Sequence, residues 1–326
     1  MIISRTPLRV SFFGGGSDLP SYYRRHGGAV LSTTIDKSVY VTVSKKFDDA
    51  VRVSYSRTEE VAHASKVEHP LVREALAMLG IDGGIEITSV ADIPAKGTGL
   101  GSSSAFTVGL LNALHAFHGR HVPAVDLAQE SCKIEIERCG EPIGKQDQYA
   151  AAFGGINFIR FQPDETVEVK KAICSLDVLD ELQSRLLFFY TGITRSASLL
   201  LQTQSAEVAR CGVKSDGTGE LVGLAEAAFQ DICSGKIDSF GPLLNDAWRI
   251  KRELADGVTN PLIDDAYRAG MNAGAEGGKI LGAGGGGFLM FLAPRERHDA
   301  VRRALRPLRE TPFRFSSQGS NIIFVH

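Results

Sequence analysis

Three glycines at alternate positions stand directly before three serines, and an apolar run follows them. The string is Pro94-Ala95-Lys96-Gly97-Thr98-Gly99-Leu100-Gly101-Ser102-Ser103-Ser104, and the apolar run begins at Ala105. Glycine lets a backbone approach a ligand closely. The N-terminus of a helix adds unpaired N–H groups and a positive dipole end, which suit phosphate. The string therefore indicates a phosphate-binding loop, with a flexible turn and a serine helix cap as the alternative.

A carboxylate on the inner face of a helix is a second candidate for chemistry. At 100° per residue, the helix predicted over 124–139 places Glu135 on the small, apolar face and Glu137 on the opposite face. A buried carboxylate needs a cation or a metal beside it. The pattern leaves two interpretations open for Glu135, an ion pair with an arginine and a metal ligand.

Two aspartates follow turns that contain glycine. Asp18 ends the loop Gly14-Gly15-Gly16-Ser17-Asp18, which follows an apolar strand, and Asp147 opens a small-residue helix after Gly144. Asp18 is either a cap for the next turn of helix or an acceptor offered to a ligand. For Asp147, its position alone favours a helix cap.

A second glycine run lies near the C-terminus. Gly282, Gly284 and Gly287 fit the spacing G-x-G-x-x-G, but a strand follows them rather than a helix, so the dinucleotide-binding interpretation is rejected. The first glycine string is not a Walker A loop either, because no Gly-Lys-Ser/Thr ends it.

Strands and helices must position these groups. Apolar periodicity, together with glycine and proline at the boundaries, predicts the strands, the helices and a linker near 174–180. The predicted strands are 9–13, 39–43, 51–55, 85–88, 155–161, 186–190, 288–291 and 322–325, and the predicted helices are 69–79, 105–114, 124–139, 220–235, 239–254, 261–275 and 296–305.

The composition is that of a globular enzyme of 326 residues, long enough for two domains. With 36 basic and 38 acidic residues, no overall field favours nucleic acid or an anionic membrane. Five cysteines without C-x-x-C spacing indicate neither a disulfide framework nor a zinc site. No apolar run is long enough to span a bilayer, and the N-terminus has no signal-peptide pattern. We therefore expect a cytoplasmic protein without membrane or nucleic-acid partners.

The glycine and serine string resembles the phosphate-binding loop of the GHMP kinases, a family that includes galactokinase and mevalonate kinase. It matches Pro-x3-Gly-Leu-Gly-Ser-Ser-x-Ala with one extra residue after the proline. Two further motifs follow in the family's order, Pro142-Ile143-Gly144-Lys145-Gln146-Asp147-Gln148 and the glycine run 282–287. The resemblance covers nearly the whole chain. It implies an α+β fold, with a domain similar to a ribosomal-protein domain over 1–175 and a ferredoxin-like domain over 176–326.

The resemblance also implies a site for ATP, Mg²⁺ and a sugar. Asp147 would be the catalytic base, Arg9 would lie near the transferred phosphoryl group, and Ser103 and Glu135 would hold the metal. The residues implied for the ATP phosphates are Lys96, Gly97, Thr98, Gly99, Leu100, Gly101, Ser102, Ser103 and Ser104. Those implied for the sugar are Gly15, Gly16, Ser17, Asp18, Asp147, Gly284 and Gly285.

The loop that ends in Asp18 is similar to that of the family branch acting on heptose phosphates, and also to the kinase part of fucokinases. This similarity implies a sugar phosphate as the acceptor, which needs a cationic clamp for its phosphate. Arg195 is the first candidate for that clamp and Lys251 the second. The alternatives are a fucokinase-like sugar kinase and a relative that binds sugar without catalysis. Whether the chain forms a homo-oligomer stays open.

Overall fold

The computed structural model describes residues 1–93, 97–194, 200–203, 205–206 and 213–326. Among these residues, nine strands form one sheet and four form a second. The strands are β1 Ile2–Phe13, β2 Gly28–Lys45, β3 Val51–Ser54, β4 Thr58–Val61, β5 Ile85–Ala91, β6 Ile156–Phe161, β7 Val167–Lys171, β8 Leu186–Tyr190, β9 Gly277–Ile280, β10 Phe288–Leu292, β11 Arg309–Glu310, β12 Phe315–Ser316 and β13 Asn321–Val325.

The described helices cover the sheets and supply the walls of a cleft. None of them combines the length and the apolar character that crossing a membrane requires. The α-helices are α1 Pro20–His26, α2 Pro70–Leu79, α3 Ser102–Phe117, α4 Ala124–Cys132, α5 Gln146–Phe153, α6 Leu176–Ser184, α7 Val213–Cys233, α8 Phe240–Leu254, α9 Pro261–Asn272 and α10 His298–Ala304.

The larger sheet is built around the long hairpin of β1 and β2. They pair antiparallel from Ile2 opposite Val43 to Phe13 opposite Leu31, and β5 and β6 pair with different parts of β2. The first four residues of β1 alternate between buried and half-buried, whereas the rest of β1 is buried throughout. Helices α3, α5, α7 and α8 contact β1, which explains this burial because both faces of the strand are covered.

The smaller sheet has the strand order β11-β8-β10-β9, and all of its pairs are antiparallel. Its core contains Trp248 of α8, which is fully buried, with Phe189, Phe291 and Ile263 in the same cluster. The tryptophan therefore anchors α8, the helix that also carries Lys251, against this sheet. The α+β class predicted from the sequence is confirmed.

Two predicted boundaries differ from the structure. The expected linker at 174–180 contains the start of α6, where the Ser175 hydroxyl accepts a hydrogen bond from the Val178 N–H. The helix predicted over 124–139 is α-helical only to Cys132 and continues as a π-helix over Lys133–Arg138. The hydrophobic period alone cannot detect such a local widening, which changes the hydrogen bonding but keeps the direction of the helix.

The end of the chain returns to the first sheet. Strand β13 pairs with β1, and β12 pairs with β2, although β12 and β13 come after all strands of the smaller sheet in the sequence. The last residues of the predicted C-terminal domain therefore complete the N-terminal sheet. The division at residue 175 followed the linker expected near 174–180, and such a local feature of the sequence carries no information about long-range pairing.

Candidate active site

The two glycine loops and the carboxylates of Asp18 and Asp147 meet in one cleft of about 630 Å³, and Glu135 is not among the residues that line it. The end of β1, the loop before α1, the turn before α5, helix α8 and the turn after β9 form its walls. The predicted site residues that line it are Arg9, Gly15, Gly16, Asp18, 97–104, Asp147 and Lys251.

The two glycine runs pack backbone against backbone at one end of the cleft. Gly99 has φ +76°, and a Cβ there would lie 2.5 Å from the Leu281 carbonyl oxygen. A Cβ on Gly282 would lie 2.5 Å from the Gly99 Cα. Only glycine combines this φ with such close approach. The C-terminal glycine run therefore supports the first glycine loop from behind.

The first turn of α3 is open to a ligand. Its N-cap residue is Gly101, and no side chain caps it in the described structure. The Ser103 hydroxyl is directed to Glu135 instead, and the Ser102 hydroxyl is buried with no hydrogen-bond partner among the described residues. The serine-cap interpretation is therefore wrong. Free helix N–H groups beside an unused buried hydroxyl suit the oxygens of a phosphate.

Arg9 and Asp147 form a bidentate ion pair across the cleft. Arg9 Nε donates to Asp147 Oδ1 at 2.7 Å, and Nη2 donates to Oδ2 at 2.8 Å. The third group, Nη1, donates to the Gly99 carbonyl at 2.6 Å. The residue at the N-cap of α5 is Lys145, and no side chain caps this helix in the described structure, so Asp147 is not a cap. Arg9 thus fixes the Asp147 carboxylate beside the first glycine loop.

Glu135 is fully buried at the start of the π-helical segment, and Glu137 is exposed, as their predicted faces require. The Glu135 carboxylate accepts hydrogen bonds from Ser103 Oγ at 2.8 Å and from Gln148 Nε2 at 2.6 Å. Burial raises the pKa of Glu135 to about 7. No lysine or arginine pairs with it within the described residues, so the arginine ion pair left open by the sequence is not observed there.

These surroundings fit a metal that completes its ligand shell with other groups. The described residues contain no cluster of three His, Cys, Asp or Glu side chains that would hold an ion unaided. Mg²⁺ keeps several waters and commonly binds through one or two protein oxygens together with substrate phosphates. Ser103, at the first glycine loop, and Glu135 behind it are arranged for that mode of binding.

Asp18 is held in the loop before α1 by three hydrogen bonds. Its carboxylate accepts from the N–H of Gly16 at 3.0 Å, from the N–H of Gln146 at 3.2 Å and from Gln146 Nε2 at 3.2 Å. Burial, and then the Asp147 charge, raises the pKa of Asp18. The N-cap of α1 is Leu19, so the interpretation of Asp18 as a cap is wrong. Its carboxylate faces the cleft as an acceptor for a ligand.

We predict that Gly144→Ala impairs the site through Asp18. A Cβ on Gly144 would overlap the Asp18 carboxylate, whose hydrogen bonds to Gln146 would be lost. We expect a rise in KM for the acceptor of about tenfold or more, since hydrogen bonds to a charged group are lost, with KM for the nucleotide unchanged. Steady-state kinetics test this. Gly223→Ala is the control, because a Cβ there meets nothing within 4 Å; equal kinetics in both variants would contradict the prediction.

Two buried lysines lie near the cleft, and only one of them lines it. Lys251 Nζ donates to the Gly282 carbonyl at 2.6 Å. Lys279 Nζ donates to the carbonyls of Ser11 and Phe12 at 3.1 and 2.8 Å, behind the cleft wall. Burial, and then the charge of Arg9, lowers the pKa of Lys251 to about 8.

Several predicted residues do not reach the cleft. Ser17 Oγ donates to the Ala29 carbonyl and accepts from the Ala29 N–H, and Gly284 and Gly285 pack against Val258. None of these three residues lines the cleft. Lys96 and Arg195 lie outside the described residues.

The cleft also contains polar groups that sequence reasoning missed. Ser11 Oγ and Gln146 Oε1 are buried without partners among the described residues, and both side chains line the cleft. Gln148 holds Glu135. Gln146 and Gln148 flank Asp147 in the motif, and this position could have indicated that they belong to the site. No feature of the sequence indicated Ser11, because serine is common in an alternating strand.

The sequence matches two family models and several known proteins. The model "GHMP kinases N terminal domain" matches residues 61–155, and "GHMP kinases C terminal" matches residues 228–310. A D-glycero-alpha-D-manno-heptose 7-phosphate kinase of Campylobacter jejuni is 28% identical, over 94% of this chain and 93% of that protein. The bifunctional fucokinase/GDP-fucose pyrophosphorylase of Arabidopsis thaliana is 26% identical, over 88% of this chain and 29% of that longer protein.

A solved structure has the same architecture. The crystal structure of a D-glycero-D-manno-heptose 1-phosphate kinase from Bacteroides thetaiotaomicron superposes with a TM-score of 0.81, at 25% identity and over 100% of both chains. The chain belongs to the GHMP kinases, and the resemblance found in its motifs is confirmed. Within that family it is related to the sugar kinases, heptose phosphate kinases among them. Kinases of this family use ATP as the phosphoryl donor, generally with a divalent metal.

Proposed function

We propose that this protein transfers the γ-phosphoryl group of ATP to the anomeric O1 of D-glycero-D-manno-heptose 7-phosphate, giving the 1,7-bisphosphate. The observation that carries the proposal is the position of the Arg9–Asp147 pair. It lies between the first glycine loop and the loop of Asp18, inside one cleft. A carboxylate held at that junction can meet both a nucleotide phosphate and an acceptor hydroxyl.

In this proposal, different residues of the chain bind the phosphates, bind the acceptor and take its proton. The amides of 97–104 and the open start of α3 bind the phosphates, and Asp18 accepts hydrogen bonds from acceptor hydroxyls. Asp147 takes the proton of the O1 hydroxyl as the bond from O1 to the γ-phosphorus forms and the bond from that phosphorus to ADP breaks. Arg9 holds the two Asp147 oxygens in a fixed plane, which favours one direction of approach.

Ser103 and Glu135 would hold Mg²⁺ against the nucleotide phosphates. When bound there, the metal neutralises charge on the phosphate oxygens. The buried Glu135 carboxylate, with only neutral donors around it among the described residues, supports this assignment.

The names of two relatives support a heptose phosphate as the acceptor, and they differ in the phosphate that they mention. One is called a heptose 7-phosphate kinase and the other a heptose 1-phosphate kinase. The first name fits the present proposal, in which a 7-phosphate is substrate and position 1 is modified. The product would serve the synthesis of nucleotide-activated heptose for surface polysaccharides, as the family branch implies.

The test is a panel of acceptors assayed for ADP release with ATP and Mg²⁺. The panel contains D-glycero-D-manno-heptose 7-phosphate, the corresponding 1-phosphate, unphosphorylated heptose, L-fucose and galactose. We expect the highest kcat/KM with the 7-phosphate, and a new anomeric phosphate signal in ³¹P NMR of the product. Preference for L-fucose would favour the fucokinase-like alternative, which the similarity to a plant fucokinase supports. Sugar binding without ADP release would identify a non-catalytic relative.

The clamp for the acceptor's own phosphate remains a prediction from the sequence. Arg195, its first candidate, lies outside the described residues. Arg195→Ala should raise KM for the 7-phosphate and leave KM for unphosphorylated heptose nearly unchanged, because only the first substrate offers a phosphate to the guanidinium. Equal changes for both substrates would show that Arg195 does not bind this phosphate.

A further inference from the structure

Lys251 is a buried cation in the cleft with little to neutralise it. Its side chain is 6% exposed, and its single described hydrogen bond goes to a neutral group, the Gly282 carbonyl. Within the described residues, no carboxylate lies within ion-pair distance of its ammonium. An ammonium taken out of water needs an anion or several acceptors. Two of the three N–H groups of Lys251 are therefore available to a ligand.

The position of the ammonium indicates which ligand it serves. Gly282, its hydrogen-bond partner, packs against Gly99 of the first glycine loop. On the other side, a Cβ on Gly15 of the acceptor loop would lie 3.7 Å from Lys251 Nζ. The ammonium thus stands where the donor loop and the acceptor loop meet. With ATP on the first glycine loop and the acceptor at the loop of Asp18, as proposed above, the transferred phosphoryl group passes this point.

Arg9 is the other cation at this junction, but its charge is already paired. Two of its nitrogens bind the Asp147 carboxylate, and the third binds the Gly99 carbonyl. The charge on the transferred oxygens must be balanced by a cation that is not already neutralised. Lys251 has no carboxylate partner among the described residues and so meets this condition, whereas the Arg9 charge is already neutralised by Asp147.

We propose that Lys251, rather than Arg9, is the protein cation that binds the γ-phosphoryl oxygens of ATP and stabilises their charge during transfer, while Arg9 positions Asp147. The proposal rests on the kinase activity proposed above, and it replaces the role of Lys251 as a clamp for the acceptor's own phosphate. The chemical step is the same as above: the acceptor oxygen gains the phosphoryl group, ADP leaves, and Asp147 takes the acceptor proton.

The pH dependence supports a test. The titratable and charged groups around Lys251 are Arg9, Asp18, Asp147 and Lys279. Burial and then the Arg9 charge lower the pKa of Lys251 to about 8, against the opposing effect of the two carboxylates. Because this pKa is lowered, the ammonium is present below pH 8 and is lost as the pH rises through 8. The value of kcat/KM for ATP, which reports the free enzyme, should therefore fall above pH 8. In Lys251→Arg this decline should disappear, since arginine stays charged beyond pH 12.

The decisive experiment compares the binding of a non-hydrolysable ATP analogue with that of ADP, by calorimetry with Mg²⁺, in the full-length protein. For Lys251→Met we expect unchanged ADP affinity and analogue affinity lowered by about 10- to 100-fold, the effect of one lost charged hydrogen bond. We also expect kcat to fall by about 100-fold or more, as when one preorganised donor is removed. Lys279→Met is the matched control, because it also removes a buried lysine but not one that lines the cleft. Its ratio of analogue to ADP affinity should equal that of the wild type.

An unchanged ratio of analogue to ADP affinity in Lys251→Met would overturn the proposal, and so would an effect confined to KM for the acceptor. If Lys251→Met does not fold, Lys251→Arg decides through its pH profile and the same affinity ratio. The binding measurement needs no acceptor. If no sugar in the panel is phosphorylated, the proposed function fails, while the affinity ratio still decides the role of Lys251.

Discussion

Asp147→Asn is expected to lower kcat by roughly 100-fold or more, the range that loss of a general base usually costs. Asparagine keeps the shape of the side chain and still offers one oxygen to Arg9, but it cannot take the acceptor proton. The first glycine loop and the start of α3 are unchanged, so KM for ATP should change little. Steady-state kinetics with the best acceptor of the panel measure both constants.

Asp126→Asn is the matched control for this variant. Asp126 is an exposed acidic residue in the first turn of α4, as Asp147 lies in the first turn of α5. Both variants lose one favourable charge near a helix N-terminus, worth about 0.3–1 kcal/mol. If Asp147→Asn resembles this control, with near-normal kcat and a small loss of stability, Asp147 acts only on its helix.

Glu135→Gln is expected to raise the Mg²⁺ concentration for half-maximal activity by about 10- to 100-fold or more, since loss of a group that only orients a metal ligand already costs that much. Glutamine fits the same space, accepts from Ser103 and can donate to Gln148 Oε1, which has no partner among the described residues. The fold should survive, because burial raises the pKa of Glu135 to about 7, so above pH 7 its charge is a cost to the folded state that glutamine removes. At pH 8 the melting temperature should equal or exceed that of the wild type.

The control for the metal prediction is Glu137→Gln, two residues along the same segment. Glu137 is exposed, so this variant should keep both its Mg²⁺ dependence and its activity. Similar shifts in the two variants would mean that negative charge near the cleft, rather than the position of Glu135, determines the metal requirement.

The local features of the site could be predicted from the sequence, because they depend on neighbours in the chain. The alternating glycines and the serines of 97–104 define a backbone conformation and a helix start within a dozen residues. The burial of Glu135 and the exposure of Glu137 follow from the angle between helical residues, and the π-helical segment did not reverse their faces. The order of the three motifs was sufficient to identify the family.

The pairing of these features required the tertiary structure. Arg9 and Asp147 are 138 positions apart, and only the packing of α5 against β1 brings them to hydrogen-bond distance. Asp147 therefore fitted a helix cap when its position was considered alone. The sequence alone could not assign a role to the glycine run after β9, because this run packs against the backbone of the first glycine loop rather than against a ligand.

Lys251 is the clearest case of a role that folding decides. In the sequence it belongs to a basic stretch of an amphipathic helix, where lysines are usually solvated. The burial of Trp248 against the smaller sheet sets the rotation of α8, and that rotation turns Lys251 into the cleft, with Gly282 and Gly15 on either side. A sequence determines which residues share a helix face, but the side of the helix that meets a partner depends on contacts far along the chain, and here those contacts determine where the charge lies.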